Sequence, residues 1–251
     1  MPIIPSPKFH SKRGVNAWGD FVMQVDWTVG QVMDAIQSGG FSDNTLLVGT
    51  SDNGATPHAN FAELGKLGHD PSYHYRGHKA DIFEGGHHVP FVARWPALIP
   101  AGTKNDETIC HTDLLATVAD ITRYALPANA GEDSVSILPL LDGSYQSAVR
   151  EATVHHSAKG AFAIRRGKWK LCFCPGSGGG STPNREPAKQ QNLPSVQLYD
   201  LSVDVAEKTN LEAAHPEVVE ELTSLMQQYV DQGRSTPGEQ QPNDREVVFG
   251  H

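Results

Sequence analysis

A few short stretches of this 251-residue chain hold side chains that can do chemistry. Asp52 and Asn53 place a carboxylate beside an amide carbonyl, a mixed oxygen set that suits a hard cation such as Ca²⁺ or Mg²⁺. With Gly54 they also form an ordinary Asx turn, so the tripeptide alone leaves both readings open. Lys79 stands in Tyr75-Arg76-Gly77-His78-Lys79-Ala80-Asp81. Among glycine and histidine, its ammonium either meets an oxyanion as a compact point charge or is simply solvated. The twelve histidines include the neighbours His87 and His88. If a strand over Val89–Trp95 extends back through that pair, the two rings point to opposite faces. A histidine-only metal site is therefore unsupported. The three cysteines, Cys110, Cys172 and Cys174, are an odd number with no second Cys-x-Cys pair. They make neither a disulfide framework nor a zinc spacing, and read as partly buried thiols on a strand.

The elements that must position these residues follow an α/β rhythm. Trp18, Phe21, Val22, Val25, Val29, Val32, Met33 and Ile36 recur at three- and four-residue steps, one face of a long helix. Gly39-Gly40 ends it. Thr45–Thr50 is a short, nearly all-apolar run suited to a strand buried on both faces of a parallel sheet. It ends at Ser51-Asp52-Asn53-Gly54, so Asp52 and Asn53 sit at a strand's carboxyl end, where open α/β folds bind ligands. Residues 55–80 read as one long loop, and loops of that length are usually functional. The run from Val89 to Trp95 is a second strand, with Pro90 as its first residue or on an edge. Thr112 reads as the N-cap of a helix holding Leu114, Leu115, Val118, Ala119 and Tyr124.

A change of style comes near residue 150. Ala161–Ile164 and Trp169–Phe173 flank Arg166-Gly167-Lys168 as a hairpin. Residues 175–195 are rich in breakers and read as a flexible surface loop. Val196–Leu201 is a further strand. Pro216 begins a last helix with Val218, Val219, Leu222, Leu225, Met226 and Tyr229 as its buried stripe, and Gly233 closes it. The organisation is thus an α/β portion over 1–150, a small α+β subdomain over 151–235 and a loosely ordered polar tail over 236–251.

Taken as an ordered set, the motifs resemble the formylglycine-dependent sulfatases, the arylsulfatase-like members of the alkaline-phosphatase superfamily. The segments that carry the likeness are Thr50–Gly54, Tyr75–His87, Val89–Pro96, Gly19–Gly30, Ala163–Leu171 and Leu198–Leu201 with Glu207–Leu211. The likeness runs from about Pro5 to Tyr229 and matches the family's C-terminal portion. It implies a sulfatase-like α/β domain followed by a small antiparallel sheet and helix. By position, Asp52 and Asn53 match a pair of Ca²⁺ ligands and Lys79 matches the lysine that binds the substrate's sulfate group. Arg76, His78, His87 and His88 receive no role, and His88 stands where relatives often have arginine.

The resemblance also implies what to look for and not find. The family's nucleophile is a cysteine in Cys-x-Pro/Ala-x-Arg, matured to formylglycine, and none of the three cysteines has that context. In the family the hydrated formylglycine attacks sulfur, while Ca²⁺ and the lysine neutralise charge on the transferred group. With two metal ligands and no nucleophile, the chain alone is expected to bind Ca²⁺ poorly and to turn over nothing. The implied partner is a sulfate ester, either a small molecule or a sulfated saccharide. A phosphate- or phosphonate-ester hydrolase of the same superfamily is the nearest competitor, and Asn53, where zinc-using members favour histidine, argues against it. A truncated noncatalytic binding or structural protein is the other.

Composition narrows the partners. A formal net charge of −9 argues against a nucleic-acid backbone, though a few local cations still serve a small anion. No apolar run approaches the ~20 residues needed to cross a bilayer. Met1-Pro2-Ile3-Ile4-Pro5 has neither a basic nor a hydrophobic leader region, and export to the periplasm or medium is a family expectation only.

Overall fold

The computed structural model describes residues 3–12, 14–184 and 190–249. Helix α1 spans Ala17–Ser38, and Asn16 caps it by accepting from the Trp18 and Gly19 amides at 3.1 and 3.2 Å. Asp20 in its first turn is buried and accepts from the Ser11 and Lys12 amides, which ties the preceding segment to the helix. The predicted apolar stripe is present, yet Phe21, Val22, Val25, Val29, Val32 and Met33 are 40–50% exposed. The periodicity is correct and the face has no cover among the described residues.

Strands β1 (Leu47–Thr50) and β2 (Phe91–Arg94) pair antiparallel, with Leu47 opposite Arg94 and Thr50 opposite Phe91. The expected parallel, doubly buried strand is therefore corrected: β1 is half-buried or exposed along its length. A parallel return needs a crossover packed on the sheet. Between the strands lie only a turn at Pro57–Ala59, the six-residue α2 (Phe61–Lys66) and the four-residue α3 (Glu84–His87). The Pro57–Ala59 turn and α2 also correct the single long loop expected over 55–80. Asn60, in the left-handed region, caps α2 through its side chain. Pro90 immediately precedes β2, as the missing proline amide requires.

Helix α4 spans Asp113–Thr122. Thr112 occupies the cap position but makes no capping bond there, contrary to expectation. The first amides of the helix donate instead to backbone carbonyls, Asp113 to Cys110, Leu114 to His111 and Leu115 to Thr112, while the buried Asp113 side chain ties in neighbouring segments by accepting from the Cys110 and Val135 amides and pairing with Arg150. Cys110 sits in that turn, half-buried and off any strand, whereas Cys172 lies on a strand and Cys174 just beyond it, both buried. A short α5 follows at Leu138–Asp142.

The second half is a four-stranded antiparallel sheet in the order β3 (Thr153–His156), β4 (Phe162–Arg166), β5 (Trp169–Cys172), β6 (Gln197–Asp200). Strand β3 was not anticipated. The β4–β5 hairpin turns at Gly167, whose φ of +56° suits the tight connection. Alternation divides the sheet's side chains. Ile164, Leu171 and Leu198 face α6 (Pro216–Gln232) and its Leu222, Leu225 and Met226. Ala163, Cys172 and Tyr199 face Ile82 and Phe83, next to α3.

Two more expectations are overturned. Residues 175–179 are buried rather than a flexible surface loop. The Ser177 carbonyl accepts from the Ile82 amide, and a Cβ on Gly179 would collide with the Ala80 carbonyl. The glycines are there for close backbone approach, not for mobility. Residues 185–189 of that predicted loop lie outside the described residues. The polar tail also docks: the Thr236 hydroxyl donates to the Glu132 carbonyl, the Gln241 amide donates to the Gln232 carbonyl, and Phe249 packs on Phe173 at 4.8 Å.

Candidate functional site

Strand β1 delivers Ser51-Asp52-Asn53 at its carboxyl end, and the backbone around them is fixed from one side. The Gly54 amide donates to the Gly86 carbonyl at 2.9 Å, and the Lys79 amide donates to the Ala55 carbonyl at 2.9 Å. Gly54 passes so close to α3 that a Cβ there would strike the Gly85 carbonyl. The lysine loop is thereby held against the Asp-Asn turn, although 25 residues of chain separate Asn53 from Lys79. Asp52 and Lys79 are exposed and Asn53 is half-buried. Among the described residues neither the Asp52 carboxylate nor the Lys79 ammonium makes a hydrogen bond or ion pair. Both are open to an incoming partner.

The loop that presents Lys79 is held from both flanks. On one side, buried Asp81 accepts from the amides of His78, Gly180 and Ser181 and from the Ser181 hydroxyl. The His78 Nε2 lies 3.1 Å from the same hydroxyl. Ala80, directly after Lys79, has φ of +84°, a conformation uncommon for a residue with a Cβ and held here by these bonds. On the other side, the Gly85 amide donates to the Arg76 carbonyl at 2.8 Å.

Beneath the loop lies a buried charged cluster that the sequence reading missed. Lys170 on β5 is fully buried and reaches Glu84 Oε1 at 2.9 Å and Glu207 Oε1 at 2.8 Å. Glu207 Oε2 also accepts from the Glu84 amide at 2.6 Å. Burial alone would raise the Glu84 carboxyl, but the Lys170 ammonium and the His88 hydrogen bond hold it well below the usual range. Glu207 moves the other way, pushed up by burial and by the charge of Glu84. Burial and the Lys170 charge lower His87 to about 3, and burial with His87 and Lys170 nearby lowers His155 well below its ordinary value. Both rings, 3.8 Å apart, stay neutral. One signal for the cluster was legible: Lys170 alternates with Leu171 inside a strand and so must face inward with Cys172.

His87 and His88 correct an expectation. The segment is the short helix α3 rather than a strand, so both rings turn to one carboxylate, His88 at 2.8 Å and His87 at 3.5 Å from Glu84. They serve the buried cluster. Among the described residues no group of three or more His, Cys, Asp or Glu side chains is placed to hold a metal. Asp52 and Asn53 remain a hard-oxygen pair at an accessible strand end, two donors where Ca²⁺ takes six to eight. Their chemistry fits such an ion, and two donors would fill only part of its shell.

Residues 6–124 match the family described as Sulfatase. An N-acetylgalactosamine-6-O-sulfatase of Bacteroides thetaiotaomicron is 35% identical over 238 residues, covering 90% of this chain and 44% of that protein. Human arylsulfatase A is 32% identical over 237 residues, covering 89% of this chain and 45% of its own length. A solved structure from Bacteroides thetaiotaomicron, described under the metabolism of multiple glycosaminoglycans, superposes with a TM-score of 0.80 at 34% identity, covering 91% of this chain and 47% of the other. The chain spans about half the length of the curated relatives it matches.

Proposed function

Because this chain belongs to the sulfatase family, we propose that it supplies one side of a sulfuric ester hydrolase site, with Lys79 binding the sulfate group and Asp52 and Asn53 holding a Ca²⁺ ion. The observation that supports this most is the bond from the Lys79 amide to the Ala55 carbonyl, which holds the loop of an unpaired cation against the turn that carries an unpaired carboxylate at the end of β1. The backbone beneath the ammonium is held by Asp81 and α3, so on meeting sulfate oxygens only the side chain has to be ordered. Bound Ca²⁺ would supply neutralisation of the charge that builds on the transferred group. Asp52 offers carboxylate charge and Asn53 a neutral carbonyl, a combination suited to a hard cation over zinc.

Nucleophile and remaining ligands would come from a sulfatase N-terminal half, since no cysteine here lies in Cys-x-Pro/Ala-x-Arg. The test joins this chain to such a half, matured by the formylglycine-generating enzyme, and follows hydrolysis of a chromogenic aryl sulfate with Ca²⁺. Activity should appear only in the joined protein and fall at least a hundredfold with Lys79→Ala, as loss of an electrostatic contact to the transferred group does. A matured joined protein that cleaves phosphate esters but not sulfates would transfer the reaction to the competing hydrolase class. Full activity in Lys79→Ala would remove Lys79 from its role.

A further inference from the structure

Lys79 has a neighbour that its own role does not use. An open groove of about 790 Å³ is lined by Asp70, Tyr73, His74, Tyr75, Arg76 and Lys208, within the size range of small-molecule sites. Its rings form a connected platform that is tilted and not flat. Tyr73 and His74 lie 3.7 Å apart, Tyr73 and Tyr75 6.0 Å apart, and Tyr75 stacks on His88 at 4.3 Å and 19°. Tyr73 is 65% exposed while its backbone sits at φ of +59°, so the chain holds a large apolar ring in water in a disfavoured conformation. Burial does not explain that ring.

The charges around the platform are uneven. The Lys208 ammonium makes no hydrogen bond or ion pair among the described residues. Arg76 is held in place by the Glu207 carbonyl at 2.7 Å and stacks on Phe83 at 3.9 Å. Asp70 opposes them, but its carboxylate already accepts from the Ser72 amide at 2.8 Å. Aromatic rings beside one held and one unpaired cation favour a ligand that is flat and apolar on one side and anionic on another.

We propose that this groove is an accessory subsite for a second, acidic sugar unit of an oligosaccharide whose sulfate group is bound at Lys79. The assignment rests on the Lys79 reading above and deepens it, because it makes the substrate an acidic oligosaccharide and not a small aryl sulfate. Four residues of backbone join Tyr75 to Lys79, which bounds their Cα separation to at most about 14 Å. A chain of a few sugar units spans that distance.

The test is calorimetric titration of the full chain with three probes: inorganic sulfate, N-acetylgalactosamine 6-sulfate, and a tetrasaccharide of alternating glucuronic acid and N-acetylgalactosamine 6-sulfate. The tetrasaccharide should bind at least tenfold more tightly than the monosaccharide. Tyr73→Asn, which tolerates the left-handed backbone, and Lys208→Gln should each erase most of that advantage and leave monosaccharide binding unchanged. Tyr73→Trp should restore it, which a merely structural effect would not do. Equal tetrasaccharide affinity in wild type and both groove variants overturns the subsite. Loss of tetrasaccharide binding in the groove variants but not in Lys79→Ala keeps the groove and overturns the sulfate role of Lys79.

Discussion

Lys170 shows how a residue can govern the site without touching a ligand. It joins Glu84, on the helix behind the lysine loop, to Glu207, next to β6, with all three side chains out of water. Such a cluster is weak evidence for net stability, since desolvating ions is costly, but it demands one arrangement of the chain. The histidines around it predict a pH response. His87, lowered to about 3, and His155, also lowered, stay neutral in the fold, while an unfolded chain protonates both near 6.5. On account of these two rings the unfolded state binds more protons as pH drops, and stability should fall as pH moves from about 7 to 5, opposed in part by Glu207, whose raised carboxyl takes its proton earlier in the fold. Glu84 adds to the loss only lower, since its depressed carboxyl stabilises above about 4.3 and releases that gain as pH falls further. Thermal midpoints from pH 7.5 to 5 check this. A flat profile would sink it, and His155→Asn should flatten part of the slope.

At the scale of elements, the site depends on how closely backbones approach. The turn after β1 touches α3 through Gly54, and the lysine loop touches the 175–181 segment through Gly179. Neither approach leaves space for a Cβ, so each glycine acts as a spacer of minimal size. Gly54→Ala should destabilise the chain by about 1–3 kcal/mol through overpacking. In a joined, matured protein it should also lower turnover, because the strained turn carries Asp52 and Asn53. Urea unfolding and aryl sulfate hydrolysis read the two effects. An unchanged midpoint would mean that α3 simply yields. The burial of residues 175–179 makes the same point: a run of glycines and serines that composition reads as flexible is held by Asp81, Ile82 and Gln197.

Over the whole molecule, apolar surface is unevenly covered. The four-stranded sheet is sealed by α6 on one face and by the Ile82–Phe83 segment on the other. Helix α1 exposes Phe21, Val22, Val25, Val29, Val32 and Met33 along one stripe, and Val92 on β2 is 67% exposed. A stripe of that length drives association. The chain by itself should therefore self-associate as concentration rises, and Val25→Glu with Val32→Glu should shift it toward monomer in sedimentation velocity runs. A wild-type chain monomeric at high concentration would contradict the exposed face. The ordered motifs were enough, from sequence alone, for the family, the two helices α1 and α6, the β4–β5 hairpin and the candidates Asp52, Asn53 and Lys79, because periodicity and turn chemistry are local. Strand direction, the missing β3, the buried glycine segment and the docked tail needed the tertiary structure, because composition does not record what packs against a segment. The Glu84–Lys170–Glu207 cluster needed it most. Its members lie far apart in the chain, and only the fold closes the distances that make three solvated charges one buried unit.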